Sequence, residues 1–418
     1  MLEPVRLSLD DARRVAVAAQ LLARPVAGSV TEVLERAGFV RTLGGVDVYL
    51  AVRARRPGFT RGELEAAAAA GEVRVLPAVR GCMYLVPKRD HAICLRVADL
   101  LSRARAEREH EKAGIHPGEV EAVAEATVAT LAERGALTTE ALRRALPEGT
   151  VRSLGEAGKK VGISSPLPPA LRLLEFAGRI ERVHEGARLD HERYLWRIPA
   201  ASPFAGGDPG DNLAELASAL AAVFFRAAGF GSVKSFASWA GLAQRDAKAA
   251  VAGLPLVPVT VAGLDEPQWA YPEALDATGA NGGPVSFLPF DDNLPGLHGG
   301  PALLVDAAHH ELEVPVWGSN EKQRLGWARY MSYRGMVADG RVVGFWELDP
   351  EARAVVWATF APPEPGLASR IEAGAADTVR FLLGELGHGK SFSIDSDTDL
   401  ARRATALRGW DCSGSVSA

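Results

Sequence analysis

Glu119–Leu142 reads EVEAVAEATVATLAERGALTTEAL, and it decides the fold of what surrounds it. Val120, Val123, Thr127, Val128 and Leu131 recur at the spacing of one helical face. Gly135 stops that helix, and Thr138 is an N-cap residue for a short second helix, Thr139 to Ala145, with Glu140 in its first turn. Pro166, Pro168 and Pro169 suit the entry to a third helix ending at Ala177, with Gly178 at the C′ position. Two strands follow, Arg179–His184 and Arg193–Ile198, around a loop holding Glu185-Gly186, and Tyr194, Trp196 and Ile198 alternate as a half-buried strand does. Three helices and a hairpin predict a winged helix, a unit whose later helix commonly enters the DNA major groove while flanking loops touch phosphate. The same unit also serves as a protein–protein adaptor, so binding of double-stranded DNA is an expectation set against that alternative.

Comparable groupings flank this unit. Upstream, Leu9-Asp10-Asp11-Ala12 opens a helix expected to run to about Arg24, and Val30–Ala37 leads through Gly38 into Phe39–Gly45. A third helix lies around Tyr49–Arg55, after which VRVLPAV (Val73–Val79) and Cys82–Val86 read as strands joined at Arg80-Gly81. Downstream of the linker SPFAGGDPG (Ser202–Gly210), Leu213–Arg226 is helical until Gly229 and Gly231 break it. Ser232–Ala240 and Gln244–Ala252 form a helix pair, with Leu256–Val261 and Gln268–Tyr271 as the wing. Beyond Gly283 the pattern turns β-rich. Met336–Ala338 and Arg341–Glu347 flank the hairpin dipeptide Asp339-Gly340, Val355–Phe360 adds a strand, and Pro365–Gly387 a terminal amphipathic helix. The fold class expected is therefore α+β: tandem winged-helix modules over 1–113, 114–200 and 201–283, then a C-terminal β-rich domain over 284–418. Identity between the three units is too weak to make them sequence repeats.

With 47% apolar and 24% charged residues, the 418-residue chain has the composition of a soluble protein of several domains. No apolar run is long enough to cross a bilayer, and MLEPVRLSLDD lacks the pattern of a signal peptide, so a cytoplasmic protein is expected. Cys82, Cys94 and Cys412 are too few and too scattered for a disulfide framework or a zinc site. No metal or cofactor is expected, and a monomer is. The net charge of −5 is unevenly spread: residues 141–200 carry 11 Lys+Arg against 7 Asp+Glu, and residues 201–300 carry 4 against 10. A basic module within an acidic chain fits a protein with one DNA-facing side.

Gly384-Glu385-Leu386-Gly387-His388-Gly389-Lys390-Ser391 matches the phosphate-loop pattern. That loop needs a strand before the glycines and a helix after them. Here a long helix precedes and Ser391–Asp395 reads as extended, so the glycines are expected to cap a helix. The glycine-rich insert 149–165 offers Arg152, Lys159 and Lys160 as charges and Ser153, Ser164 and Ser165 as hydroxyls, a composition suited to gripping phosphates. A solvated surface loop is the alternative. His309-His310 has no further ligands at useful spacing, and tryptophans 239, 269, 317, 327, 346 and 357 are expected in the core.

Six segments, in order, carry a resemblance: YLAVRARRPGF (Tyr49–Phe59), RGCMYLV (Arg80–Val86), GALTTEAL (Gly135–Leu142), SVKSFASWAGL (Ser232–Leu242), FLPFDDNLPG (Phe287–Gly296) and GMVADGRVVGFW (Gly335–Trp346). Through them most of the chain resembles the bacterial winged-helix DNA glycosylases of the AlkZ and YcaQ kind. The resemblance implies three tandem winged helices and a β domain around a concave DNA surface, and removal of bulky alkylated or crosslinked purines in DNA repair. Arg80 and Lys234 would then face DNA together with the basic insert.

The family carries Gln-x-Gln or Gln-x-Asp shortly before the segment matching YLAVRAR, where this chain has Arg41 and Leu43. An alkylated purine is already a cationic leaving group, so a neutral amide that positions water suffices for the family. Arg41 repels such cations and Leu43 orients no water. Asp47, beside Tyr49, is the carboxylate nearby that can position water and stabilise an oxocarbenium ion, unless it serves as an N-cap. Asp47, Arg41 and Tyr49 are thus the candidate catalytic residues of a variant site. The alternative is a DNA-binding or regulatory protein that has lost catalysis.

Overall fold

Glu119–Arg134, Thr139–Ala145 and Leu167–Phe176 are helices, and Glu181–His184 pairs antiparallel with Tyr194–Arg197, as the sequence predicts. The computed structural model describes residues 3–23, 27–276, 282–319, 321–328 and 331–418. The Thr138 hydroxyl accepts the Ala141 N–H at 3.1 Å, which satisfies an orphan donor of the second helix. Val123, Leu131, Leu142, Leu171, Leu174 and Trp196 close a core belonging to this unit alone. The insert 149–165 differs from the open loop expected, because Gly155–Val161 is helical. Gly158 lets the chain fold back: a Cβ there would stand 2.1 Å from the Ile163 carbonyl oxygen.

The N-terminal unit contains helices Val30–Ala37, Asp47–Arg55 and Arg61–Ala69, then antiparallel strands Val73–Pro77 and Met83–Pro87. The short strand Val40–Arg41 pairs with Leu85 and Tyr84 and completes a three-stranded sheet. Helix Arg61–Ala69 is an addition to the sequence reading, and Thr60 with Glu63 forms its capping box. The first helix spans Leu9–Ala19, and the expected end at Arg24 lies outside the described residues. Its preceding strand, Val5–Leu7, runs parallel to Val257–Val261 and so joins the sheet of a distant unit. That unit consists of helices Leu213–Ala228, Val233–Ala240 and Gln244–Val251 and the hairpin Val257–Val261/Gln268–Ala270.

The last region is built on a five-stranded antiparallel sheet in the order Ser413–Ser417, Ala354–Thr359, Arg341–Asp349, Arg334–Ala338, Ser286–Phe287. Asp339 and Gly340 both take positive φ, 49° and 84°, as a two-residue hairpin turn requires. Helix Asp47–Arg55 buries residues on every side, and Val48, Leu50 and Val52 share one core with Phe287, Met336, Trp346 and Ile371. Helix Pro365–Phe381 continues through a π turn, Leu382–Leu386, to Gly387 in the left-handed conformation. Of the glycines in the phosphate-loop match, Gly384 lies within that turn and Gly387 ends it, so the loop comes after a helix and not after a strand. Ser391–Asp395 forms no strand, in contrast to the extended segment expected, and helix Asp397–Arg408 and strand Ser413–Ser417 come after it. Trp239, Trp346 and Trp357 are buried, but Trp317 and Trp327 are 54% and 60% exposed, against the core placement expected of them.

Candidate active site

The loop before helix Asp47–Arg55 is shaped by two glycines. Gly44 has φ 75°, and a Cβ on Gly45 would lie 2.2 Å from the Lys390 carbonyl oxygen, so the segment 390–393 packs directly on this loop. Val46 donates its N–H to the Lys390 carbonyl at 2.8 Å, and Ser393 donates to the Leu43 carbonyl at 3.1 Å. Val46, not Asp47, is the N-cap residue, and it makes no side-chain cap bond. This corrects the capping role considered for Asp47, which sits one position later in the first turn.

Asp47 is buried beneath that segment. Ser391 donates its hydroxyl to Asp47 Oδ1 at 3.0 Å, and Arg334 Nη2 lies 3.5 Å from the same oxygen. Asp47 Oδ2 is buried with no hydrogen-bond partner. Burial pushes the Asp47 carboxyl up to about 7, against the opposing pull of Arg334 and Ser391. Arg334 is itself consumed: it donates to Glu347 at 2.7 Å, to the Gly389 carbonyl at 2.5 Å and to Ser391 Oγ at 2.6 Å. Arg403 bridges Glu347 and Asp395. Asp47 therefore belongs to a buried ionic network that staples the C-terminal segment to the first unit. Tyr49 is likewise interior: its hydroxyl accepts the Leu189 N–H at 2.9 Å and reaches Glu65 at 3.2 Å, and burial raises its pKa.

Arg41 lies elsewhere, on the wall of a cavity of about 520 Å³ between the first unit's sheet, helix Val233–Ala240 and the segment 288–300. Arg80, Tyr84, Lys234, Asp291 and Asn293 line the same cavity, and Asp47 and Tyr49 do not. Arg41 Nη1 donates to Asp291 Oδ2 at 2.6 Å. Burial lowers the Arg41 pKa, but Asp291, with Cys82 and Tyr84, more than offsets this and leaves it raised. Asp292, the next residue, is spent on structure: Arg55 grips both its oxygens at 2.9 and 2.8 Å, and its Oδ1 caps helix Asn293–Leu297 through Leu294 N–H. Asn293 donates to the Ala37 and Phe39 carbonyls, which fixes the wall behind Asp291 to the first unit. Arg80 holds a left-handed backbone, φ 57° and ψ 17°, and donates to the Tyr84 hydroxyl at 3.0 Å. Such strain in a residue other than glycine concentrates at functional sites. His298 also lines the cavity, and burial pushes its pKa down to about 4, which favours its neutral form.

The expected DNA-contacting residues divide. Arg80 and Lys234 share the cavity, where Lys234 pairs with Glu266 at 2.6 Å. Arg152 is exposed but engaged twice with Glu119 and once with the Gly114 carbonyl. Lys159 pairs with Glu156, while Lys160 and Ser164 are exposed. Ser165 is fully buried and accepts a hydrogen bond from Arg143 at 2.7 Å, so it meets no DNA in this conformation. Asp291 and Tyr84 were missing from the candidate residues. Both stand inside the segments that carried the resemblance, FLPFDDNLPG and RGCMYLV, and that position was the available signal. No helix among the described residues is long and apolar enough to cross a membrane.

No curated protein matches the chain in sequence. Its fold is similar to that of the solved Streptomyces sahachiroi DNA glycosylase AlkZ, with a TM-score of 0.69 at 17% identity, covering 91% of this chain and 98% of that one. The family model described as "DNA glycosylase AlkZ-like" matches residues 34–381, which include the N-terminal sheet, the cavity and most of the β region. The chain belongs to the AlkZ-like DNA glycosylase family.

Proposed function

We propose that this protein binds double-stranded DNA through tandem winged-helix modules and hydrolyses the N-glycosidic bond of bulky alkylated or crosslinked purines with a variant active site. The observation that carries this reading is the cavity itself. It holds three cations, Arg41, Arg80 and Lys234, beside three carboxylates, Glu266, Asp291 and Asp292, and its volume of about 520 Å³ lies within the range of small-molecule pockets, large enough for an extruded purine. The modules follow the divisions 1–113, 114–200, 201–283 and 284–418, except that strand Val5–Leu7 and helix Leu9–Ala19 pack with the third, and the protein acts as a cytoplasmic monomer. Its three helix–hairpin groupings support this division.

One observation favours a second reading, a DNA-binding protein without catalysis. Arg41 and Leu43 stand where the family signature is expected, and Asp47 is sequestered in a buried network. Two measurements decide. Anisotropy titration of a labelled duplex should show affinity falling with salt, with a log–log slope of about −0.9 per phosphate neutralised. Incubation with duplex carrying N7-methylguanine should release the base. No binding at low salt refutes both readings, whereas binding without base release leaves the second one standing.

A further inference from the structure

We infer that Asp291, held by Arg41, is the carboxylate that orients the hydrolytic water and faces the developing sugar cation. This rests on the glycosylase reading above and names the group that performs it. Elimination and geometry lead to the same residue. Three carboxylates line the cavity among the described residues: Glu266, Asp291 and Asp292. Asp292 has both oxygens closed by Arg55 and the Leu294 amide. Glu266 pairs with the exposed Lys234 at the rim. Asp291 is about a quarter exposed, and Arg41 takes only Oδ2, so Oδ1 accepts no bond from any described residue. A carboxylate with one oxygen anchored and the other open is poised to accept a proton from water.

The same pairing changes what Arg41 means. A lone guanidinium in the cavity opposes a cationic leaving group and an oxocarbenium ion. Paired at 2.6 Å, Arg41 and Asp291 carry no net charge, and the open oxygen presents the negative end of the pair. Arg41 is held in turn by its strand, whose backbone pairs with Tyr84, and Asn293 fixes the next turn of the Asp291 segment to Ala37 and Phe39. The wall is thus braced on both sides, as preorganised electrostatic stabilisation requires.

In the step, water adds to C1′ of the extruded nucleotide and transfers a proton to Asp291 Oδ1. The C1′–N9 bond breaks with its electron pair moving into the cationic alkylpurine, which departs as the neutral base. The proton passes from Asp291 to solvent and leaves a hemiacetal at C1′. Asp291 is the catalytic residue and Arg41 the positioning residue.

The test is single-turnover release of N7-methylguanine from a labelled duplex by the full-length protein, with DNA affinity measured in parallel. Asp291→Asn should slow release by about two to four orders of magnitude while changing affinity less than threefold. Asp291→Ala should regain part of its rate with added formate, a response that a purely structural residue does not give. Arg41→Met should lower the rate, and Arg41→Lys should restore part of it. Asp47→Asn should leave the rate near that of the parent. Release that is indifferent to Asp291→Asn, or lost in Asp291→Ala without formate rescue, overturns the assignment and leaves the glycosylase reading intact. Absence of release from the parent protein overturns both.

Discussion

Replacing Asp47 with Asn tests the buried network through its dependence on pH. The Asp47 carboxyl titrates at 3.8 in an unperturbed chain and at about 7 in the fold, because burial penalises its charged form. The native state therefore holds an extra proton between those values. Stability falls as pH rises through that window and levels off above it. The full displacement is worth about 4 kcal/mol, of which about 3 kcal/mol accrues between pH 5 and 8. Asn has the shape of the protonated acid, still accepts the Ser391 hydroxyl, and carries no charge at any pH. Chemical denaturation of parent and variant at several pH values isolates the term, since other titrating groups largely cancel in the difference. The difference should move by about 3 kcal/mol in favour of Asp47→Asn from pH 5 to pH 8, with unchanged m values. A flat difference, or one moving toward the parent, would mean that the Arg334 ion pair outweighs desolvation and that burial does not govern this carboxyl.

Other substitutions probe the remaining contacts. Gly45→Ala should cost about 1–3 kcal/mol or more, because its Cβ meets backbone at 2.2 Å, and limited proteolysis should then cut sooner within residues 388–396. Arg55→Ala leaves Asp292 buried without its partner and should cost about 3–5 kcal/mol in thermal or denaturant unfolding, much of it regained in Arg55→Met/Asp292→Leu. Lys390→Ala removes one exposed contact with Asp397, so stability should change by less than about 1 kcal/mol. Nucleotide affinity that vanished in this variant would instead revive the phosphate-loop match.

What was legible in the sequence was local. Helices with a clear cap or apolar periodicity, such as Thr139–Ala145 behind Thr138 and Val30–Ala37, fall where the sequence places them. Arg61–Ala69 and Asp397–Arg408 were overlooked even though Thr60…Glu63 and Ser396…Asp399 are capping boxes; their Ala- and charge-rich stretches carry little apolar contrast. Strand Ser413–Ser417 has no alternation to betray it and exists because Ala354–Ala358 offers an edge. The site was legible only as a region. Arg41 meets Asp291 across 250 residues, and nothing local distinguishes Asp291, open to the cavity, from Asp292, locked onto Arg55. Asp47 attracted attention as the nearest carboxylate in sequence, and only the packing of residues 390–393 shows it to be sealed away.

The staple between Asp47 and Ser391 also sets a timetable for synthesis. The two residues are 344 positions apart, so a ribosome adding about 5–20 residues per second makes them roughly 17 to 70 s apart. Strand Val5–Leu7 waits in the same way for Val259–Val261. Meanwhile helix Asp47–Arg55 emerges with Val48, Leu50 and Val52 lacking Phe287, Met336 and Trp346 to cover them. The nascent chain thus carries a helix that the finished fold buries on every side, uncovered for most of translation, a state that invites chaperone capture. The unit made first is the one finished last.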